Sequence, residues 1–151
     1  MSDLEDLYQE LILDHGHKRP RNYRTIEGAQ HVARGHNPVC GDQLTVFLKT
    51  EGDRLDDVSF QGEGCAISKA SASLMTESVK LKRKDEALAL FKSFHELVTG
   101  AAPGGDAEDL GKLAVFSNVS KFPIRVKCAM LAWRTLESAL AGRASDVVTT
   151  E

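Results

Sequence analysis

The stretch Asn37-Pro38-Val39-Cys40-Gly41-Asp42 places a thiol and a carboxylate two residues apart in one short segment. Pro38 restricts the backbone before the cysteine, and Gly41 frees the backbone after it. Cys40 and Asp42 can therefore turn toward the same side of a tight loop, which suits chelation of a metal ion. We expect the rest of the chain to be organised around this loop.

Two further cysteines, Cys65 and Cys128, complete the thiols of the chain. Gly62-Glu63-Gly64 precedes the first, and basic residues precede the second, which is unusual for inert buried thiols. Three thiols and the Asp42 carboxylate make four potential ligands, a set that suits tetrahedral Zn²⁺ and also iron in a small iron–sulfur cluster. Three unrelated core cysteines are the alternative, because free cysteine is among the most buried residue types.

The composition predicts a single domain of ordinary size. The chain has 151 residues, of which 42% are hydrophobic, enough for a core without disulfides. We place the domain at residues 1–142 and a polar C-terminal tail at 143–151. The net charge of −3 disfavours nucleic acid and anionic membranes as partners. With no apolar run long enough to cross a bilayer, an acidic start and an odd number of cysteines, a cytoplasmic location is expected.

Alternation of apolar and polar residues predicts a small sheet in the first half of the chain. A turn is expected at Glu51-Gly52-Asp53, and an earlier strand is expected around His31 to Arg34. These segments predict three antiparallel strands, with Cys40 in one connection and Cys65 just after the last strand. The apolar positions that support the two later strands are Leu44, Val46, Leu48, Val58 and Phe60.

Helical spacing of apolar residues predicts the remaining elements. Cys65 should lie at a helix N-terminus, where backbone amides lower the pKa of a thiol. His15 and His17 are expected at a helix C-terminus rather than among metal ligands. The expected helices run from Ser2 to about His15-Gly16, onward from Cys65, from Asp85 to Gly100, around Leu110 to Phe116, and from Pro123 to Gly142, with a linker at 101–105.

Several motifs together resemble one known family over almost the whole chain. They are Asp14-His15 with Pro20-Arg21-Asn22, the Asn37 to Asp42 stretch, Gly62-Glu63-Gly64-Cys65 with Ser68 and Ala70-Ser71-Ala72-Ser73, and Ser120-Lys121-Phe122-Pro123 leading to Arg125-Val126-Lys127-Cys128. This combination resembles the SufU family, the zinc-containing relatives of IscU and of the NifU N-terminal iron–sulfur assembly proteins. Lys127 stands where IscU scaffolds carry a histidine, and an extra segment separates Cys65 from Cys128, which favours the SufU branch.

The resemblance implies a fold, a cofactor and a reaction. The fold would be an α+β architecture in which a small antiparallel three-stranded sheet packs against several helices. Cys40, Asp42, Cys65 and Cys128 would bind Zn²⁺. The protein would accept persulfide sulfur from a SufS-type, pyridoxal-phosphate-dependent cysteine desulfurase and pass it to downstream iron–sulfur assembly proteins. The alternatives are an IscU-type scaffold or carrier that holds iron or a two-iron two-sulfur cluster, and a module with purely structural zinc.

Within that resemblance, the residues suggest different roles for the three thiols. Cys40 is the expected sulfur acceptor, because its proline- and glycine-bounded loop should move more easily than Cys65 at a helix start or Cys128 within a helix. Arg125 and Lys127 precede Cys128 closely and are candidates to balance the charge of about −2 on a zinc site with three thiolates and a carboxylate. Ordinary exposed helix residues are the alternative interpretation of these two cations.

Overall fold

Three antiparallel strands form the centre of the molecule. A computed structural model describes residues 9–18, 20–100, 110–142 and 147–149. Strand β1 covers His31–Asn37, β2 covers Asp42–Glu51 and β3 covers Arg54–Glu63. β2 pairs in antiparallel fashion with both β1 and β3. The predicted α+β class and the three-stranded antiparallel sheet are therefore confirmed.

A fourth strand, β4 at Val147–Thr149, extends the sheet beyond the expected three strands. It pairs in parallel with β1, so the strand order is β3-β2-β1-β4. The polar composition of residues 143–151 predicts a tail and gives no sign of this pairing. Three residues are too few to display a period-two pattern, so a strand of this length leaves little signal in the sequence.

Helices cover the sheet and supply most of the remaining structure. The described chain begins with helical residues 9–13, and the predicted start of this helix at Ser2 lies outside the described residues. The helical backbone continues past the expected end at His15-Gly16 as a π-helical segment. No described helix is long and apolar enough to cross a membrane. The elements are the π-helical segment Asp14–Lys18, α1 at Ala66–Val79, α2 at Lys84–Thr99, a 3₁₀ segment at Gly111–Lys121 and α3 at Pro123–Leu140.

The predicted elements from residue 84 onward agree with the structure apart from local differences. Helix α2 begins at Lys84 with Arg83 as its N-cap, so Asp85, the expected start of the helix, lies within its first turn. The expected short helix at 110–116 is the first part of the longer 3₁₀ segment. Pro123 opens α3, where its missing N–H leaves no helical hydrogen bond unmade. The expected linker at 101–105 lies outside the described residues.

The core lies between the sheet and helices α1 and α3. Alternate β2 residues Leu44, Val46 and Leu48 are at most 1% exposed and point into it. Trp133 of α3 is also buried, and its ring stacks on Phe94 of α2 with centroids 4.8 Å apart. Trp133 therefore serves in the packing of the core.

The segment that follows the first helix is hydrogen bonded to α1. His15 Nδ1 lies 2.7 Å from Ser73 Oγ, which also accepts a hydrogen bond from the Arg21 backbone N–H at 2.8 Å. Asn22 Nδ2 donates to Thr76 Oγ1 at 3.0 Å. His15 is fully buried, so it serves in packing the N-terminal segment against α1 and not at an exposed helix end. These bonds fix the position of α1, which begins directly after Cys65.

Candidate metal centre

The Cys40 loop is the turn of the β1–β2 hairpin. Asn37, the last residue of β1, pairs with Asp42, the first residue of β2, and four residues connect them. Gly41 has φ +75°, a conformation that costs glycine little, and its N–H donates to the Asn37 carbonyl at 2.8 Å. The turn leaves Cys40 exposed, whereas Asp42 is fully buried where the strand begins.

Cys65 is the N-cap residue of α1, as the sequence predicted. Its Sγ accepts a hydrogen bond from the Ser68 N–H at 3.4 Å, and its own N–H donates to Asp42 Oδ1 at 2.9 Å. Gly64 makes this approach of α1 to β2 possible, because a Cβ at this position would lie 2.8 Å from Asp42 Oδ1. Because Gly64 has no side chain, it leaves room for the Asp42 carboxylate directly before Cys65.

Cys128 approaches the hairpin from α3. Its side chain is buried, with 2% of the residue exposed. Its Sγ lies 3.3 Å from Cys40 Sγ, and Asn37 Nδ2 donates to it at 3.6 Å. The last cysteine, 88 residues from the first, is thus in direct contact with it.

The predicted ligands converge on one place. One ligand atom each from Cys40, Asp42 and Cys128 lies within 4.8 Å of the others. Cys65 is not part of this triplet, but its Sγ lies 3.8 Å from Asp42 Oδ2. The cluster joins the β1–β2 hairpin to the start of α1 and to the second turn of α3. The assignment of all four residues as ligands remains a prediction.

Asp42 is a buried carboxylate without a basic partner. It is 0% exposed, and within the described ranges no lysine, arginine or histidine forms an ion pair with it. Its side chain accepts hydrogen bonds from the N–H and the thiol of Cys65. An uncompensated buried charge costs several kcal/mol. A cation held between this oxygen and the three sulfurs would offset that cost, and such a donor set suits Zn²⁺.

The pKa values of the Cys65 and Cys128 thiols are shifted in opposite directions. A hydrogen bond from Cys128 lowers the pKa of Cys65 to about 7, and the Ser68 N–H adds to this effect against the opposing influence of burial. The pKa of Cys128 is raised, because its S–H is held by Cys65 and by Cys40 and because it is buried. The expected low pKa at the helix start is confirmed, although the main cause is Cys128 and not the helix amides.

The two basic residues expected near the site form no ion pair with its ligands in the described structure. The Arg125 guanidinium lies 4.4 Å from the ring centroid of Phe122 and is exposed. Lys127 is half-buried and forms no ion pair with any described residue. Their role in balancing charge remains a prediction. Sequence reasoning gave no role to Asn37, although it opens the central stretch, because only folding brings its amide to Cys128.

The fold and the site together define the class of protein. It is an α+β domain with thiols and a carboxylate gathered at a hairpin turn. The model of the NifU-like N-terminal domain matches residues 7–129, and the chain belongs to this family. It is 41% identical to the zinc-dependent sulfurtransferase SufU of Bacillus subtilis, with 93% of each chain covered. It is also 41% identical to the iron–sulfur cluster assembly scaffold protein IscU of Streptococcus pyogenes, covering 93% of this chain and 86% of that one.

Solved structures agree with this assignment. A crystal structure described as a putative iron–sulfur cluster assembly scaffold protein for the SUF system from Fervidobacterium islandicum has a TM-score of 0.81 and 38% identity, with 90% of this chain and 98% of that chain covered. A NifU-like protein from Brucella abortus has the same TM-score of 0.81 at 21% identity, covering 93% of this chain and 96% of that chain, and shows the fold alone. The resemblance to SufU and to IscU-like proteins is therefore confirmed.

Proposed function

We propose that this protein is a zinc-dependent sulfurtransferase of iron–sulfur cluster assembly. It accepts persulfide sulfur from a SufS-type cysteine desulfurase and passes it on to downstream assembly proteins. The observation that carries the proposal is the convergence of three thiols on a buried carboxylate that lacks a basic partner in the described structure. The relative from Bacillus subtilis, named a zinc-dependent sulfurtransferase, supports it.

The residues that would hold the metal are Cys40, Asp42, Cys65 and Cys128. Bound Zn²⁺ supplies positive charge that keeps coordinating thiols deprotonated at neutral pH. The chain itself contributes the arrangement of the ligands. Hydrogen bonds from backbone N–H groups orient Asp42 and Cys65, and the hairpin turn presents Cys40 to solvent.

The transfer step is a thiol–persulfide exchange. The Cys40 thiolate attacks the outer sulfur of the persulfide on the desulfurase cysteine, and a new S–S bond forms at Cys40 Sγ. The S–S bond to the desulfurase breaks, and its cysteine leaves as a thiolate. The persulfide has moved from one protein to the other, so the step needs no oxidant or reductant.

Exposure and position favour Cys40 as the acceptor. Its residue is exposed on a four-residue hairpin turn, where a partner can reach it. Cys128 is buried within a helix. Cys65 is exposed as well, but the Ser68 N–H holds its sulfur at the N-cap of α1. Arg125 and Lys127 would add positive potential that attracts an anionic persulfide.

A second candidate function is an iron–sulfur scaffold without turnover of its own. The chain is 41% identical to a Streptococcus pyogenes protein named a scaffold, and it is also 41% identical to the relative named a sulfurtransferase. Sequence identity therefore favours the two functions equally. The chain offers no imidazole beside its last cysteine, because Lys127 occupies that place, and a protonated ammonium cannot be a metal ligand. We therefore rank sulfur transfer above cluster scaffolding.

Sulfur transfer from a purified SufS-type desulfurase tests the proposal. With ³⁵S-labelled cysteine as substrate, the wild-type protein should carry label and raise desulfurase turnover, and its zinc content should be near one ion per chain. Cys40→Ser should lose the label. A Cys40→Ser protein that is labelled like the wild type, while Cys128→Ser is not, would show that the acceptor is wrong.

The same preparation separates the two candidate functions. Anaerobic reconstitution with iron and sulfide should give no stable visible spectrum if the protein is a sulfurtransferase. A stable two-iron two-sulfur spectrum together with unchanged desulfurase turnover would favour the scaffold. Zinc binding with neither property would identify the site as purely structural.

A further inference from the structure

The Ser71 hydroxyl joins helix α1 to helix α3 through two hydrogen bonds. Its Oγ donates to the Ala129 carbonyl at 2.5 Å and accepts from the Trp133 Nε1–H at 3.2 Å. All three residues are fully buried. A serine hydroxyl has a single proton to donate, and that proton is used on α3. Because Ala129 and Trp133 lie one helical turn apart, one side chain of α1 holds α3 at two points.

The two helices that Ser71 joins each carry one of the predicted metal ligands. Cys65 is the N-cap residue of α1, the helix that contains Ser71. Cys128 lies in α3 and directly precedes Ala129, whose carbonyl Ser71 binds. The hydrogen bonds therefore act on the part of α3 that carries Cys128, and they tie it to the helix that begins at Cys65.

Helix α3 also packs closely against β1, the strand that leads to the Cys40 turn. A Cβ at Gly35 would collide with Thr135 Oγ1 and would lie 3.0 Å from Leu131 Cδ1, so the missing side chain lets α3 approach the strand. This contact limits how close α3 can come to the hairpin. It does not fix the rotation of the helix, because van der Waals contact has little directionality. The Ser71 hydrogen bonds are directional and supply that restraint.

A small rotation of α3 is enough to displace a metal ligand. The side-chain surface of an α-helix lies about 5 Å from the helix axis. A rotation of about 10° therefore moves an atom at that radius by about 0.9 Å. Metal–ligand distances hold to about 0.2 Å, so a ligand displaced by this amount no longer fits the ion. A metal centre built on α1 and α3 thus depends on a fixed rotation of one helix relative to the other.

We propose that Ser71 is a positioning residue for the metal centre. Its two hydrogen bonds set the depth and the rotation of α3, so that Cys128 and Cys65 meet at the same ion. Ser71 itself is no ligand and acts through the backbone of Ala129 and the ring of Trp133. The inference deepens the proposed function and rests on it for zinc as the bound metal.

Metal binding by the full-length Ser71→Ala protein tests the inference without the desulfurase. Competition with a chromophoric chelator should show Zn²⁺ bound about tenfold more weakly than in the wild type, as is typical when a group that orients ligands is removed. With Co²⁺ in place of zinc, the visible bands that report ligand geometry should shift or lose intensity. Faster hydrogen exchange at the Trp133 indole N–H will verify that its bond to Ser71 is lost.

Two further variants separate position from stability. Thr135→Val removes a buried α3 hydroxyl that donates to the Leu131 carbonyl of its own helix at 2.7 Å. It should lower the melting temperature of the metal-free protein and leave both the zinc affinity and the Co²⁺ spectrum unchanged. Trp133→Phe removes the indole N–H and keeps the bond from Ser71 to Ala129, so zinc binding should weaken about threefold. This variant decides the question if Ser71→Ala does not fold.

Two results would overturn the inference. The first is wild-type zinc affinity with a wild-type Co²⁺ spectrum in folded Ser71→Ala or, if that protein does not fold, in Trp133→Phe. The second is an equal loss of affinity in Thr135→Val, which would trace the effect to stability alone. A wild-type protein that binds neither metal would refute this inference together with the zinc dependence of the proposed function. Tight zinc binding without transfer of labelled sulfur would refute the proposed function and leave the role of Ser71 measurable.

Discussion

Replacing Gly64 by alanine should weaken metal binding much more than it weakens the fold. The new Cβ would lie 2.8 Å from Asp42 Oδ1 and 3.1 Å from its Cγ, about 0.6 Å short of the 3.4 Å at which ordinary contact begins. The carboxylate or the Cys65 turn must move by about that distance. Metal–ligand distances hold to about 0.2 Å, so a ligand displaced this far no longer fits.

The expected loss in affinity is tenfold or more, which corresponds to about 1.4 kcal/mol. Because a ligand that binds only the folded state stabilises it, this loss should appear as a smaller difference between melting temperatures with and without zinc. For a domain of this size, about 1.4 kcal/mol corresponds to roughly 3–6 °C. Competition with a chromophoric chelator measures the affinity directly, and thermal melts with and without zinc measure the coupling.

Gly52→Ala is the matched control. Gly52 has φ +61°, and a Cβ at this position would have no atom within 4 Å, so this substitution introduces backbone strain far from the site. It should lower both melting temperatures by similar amounts and leave the zinc affinity unchanged. Wild-type zinc affinity in Gly64→Ala, with the fold intact, would refute the proposal that Asp42 is a ligand held in place by this contact.

Three further perturbations test the packing and the charges. Trp133→Ala should cost about 3–5 kcal/mol in urea denaturation, because it removes a buried ring stacked on Phe94; a cost below about 1 kcal/mol would contradict that packing. The pKa of His15 is lowered from 6.5, chiefly by burial and then by the positive charge of Arg21. Just below pH 6.5 the unfolded chain therefore binds more protons than the folded protein, so the free energy of unfolding should decline as the pH falls from 6.5 toward the folded-state pKa. His15→Gln should remove this pH dependence, so that its urea midpoints change less than those of the wild type between pH 7.5 and 5.5. The pKa of Asp57 is lowered by its hydrogen bond from Arg24, so their contribution is present above pH 3.8 and lost as the pH falls below it. Their side chains are 25% and 42% exposed, so Arg24→Gln should cost at most about 1 kcal/mol at pH 7 and nothing once Asp57 is protonated, as urea midpoints at the two pH values will show.

Local patterns predicted most of the fold. The alternation of Leu44, Val46 and Leu48 identified β2 because burial on one face of a strand repeats every second residue. Pro123 marked the start of α3 through its fixed φ and missing N–H. β4 was not foreseen, because a run of three residues carries no period and its pairing depends on β1, more than 100 residues earlier in the chain. Helical spacing likewise could not predict that the first helix continues as a π-helical segment through Lys18.

The sequence by itself determined which chemical groups are available: three thiols, a carboxylate two residues from one of them, and the small or rigid residues that let the backbone turn around them. Only the tertiary structure decided how these groups relate. It brought Cys128 to 3.3 Å from Cys40, buried Asp42 away from any basic partner in the described residues, and turned the Asn37 amide onto a sulfur 91 residues away. Spacing along a chain describes neighbours within a turn of helix or strand, whereas distances between α3 and the hairpin follow from the packing of the whole core.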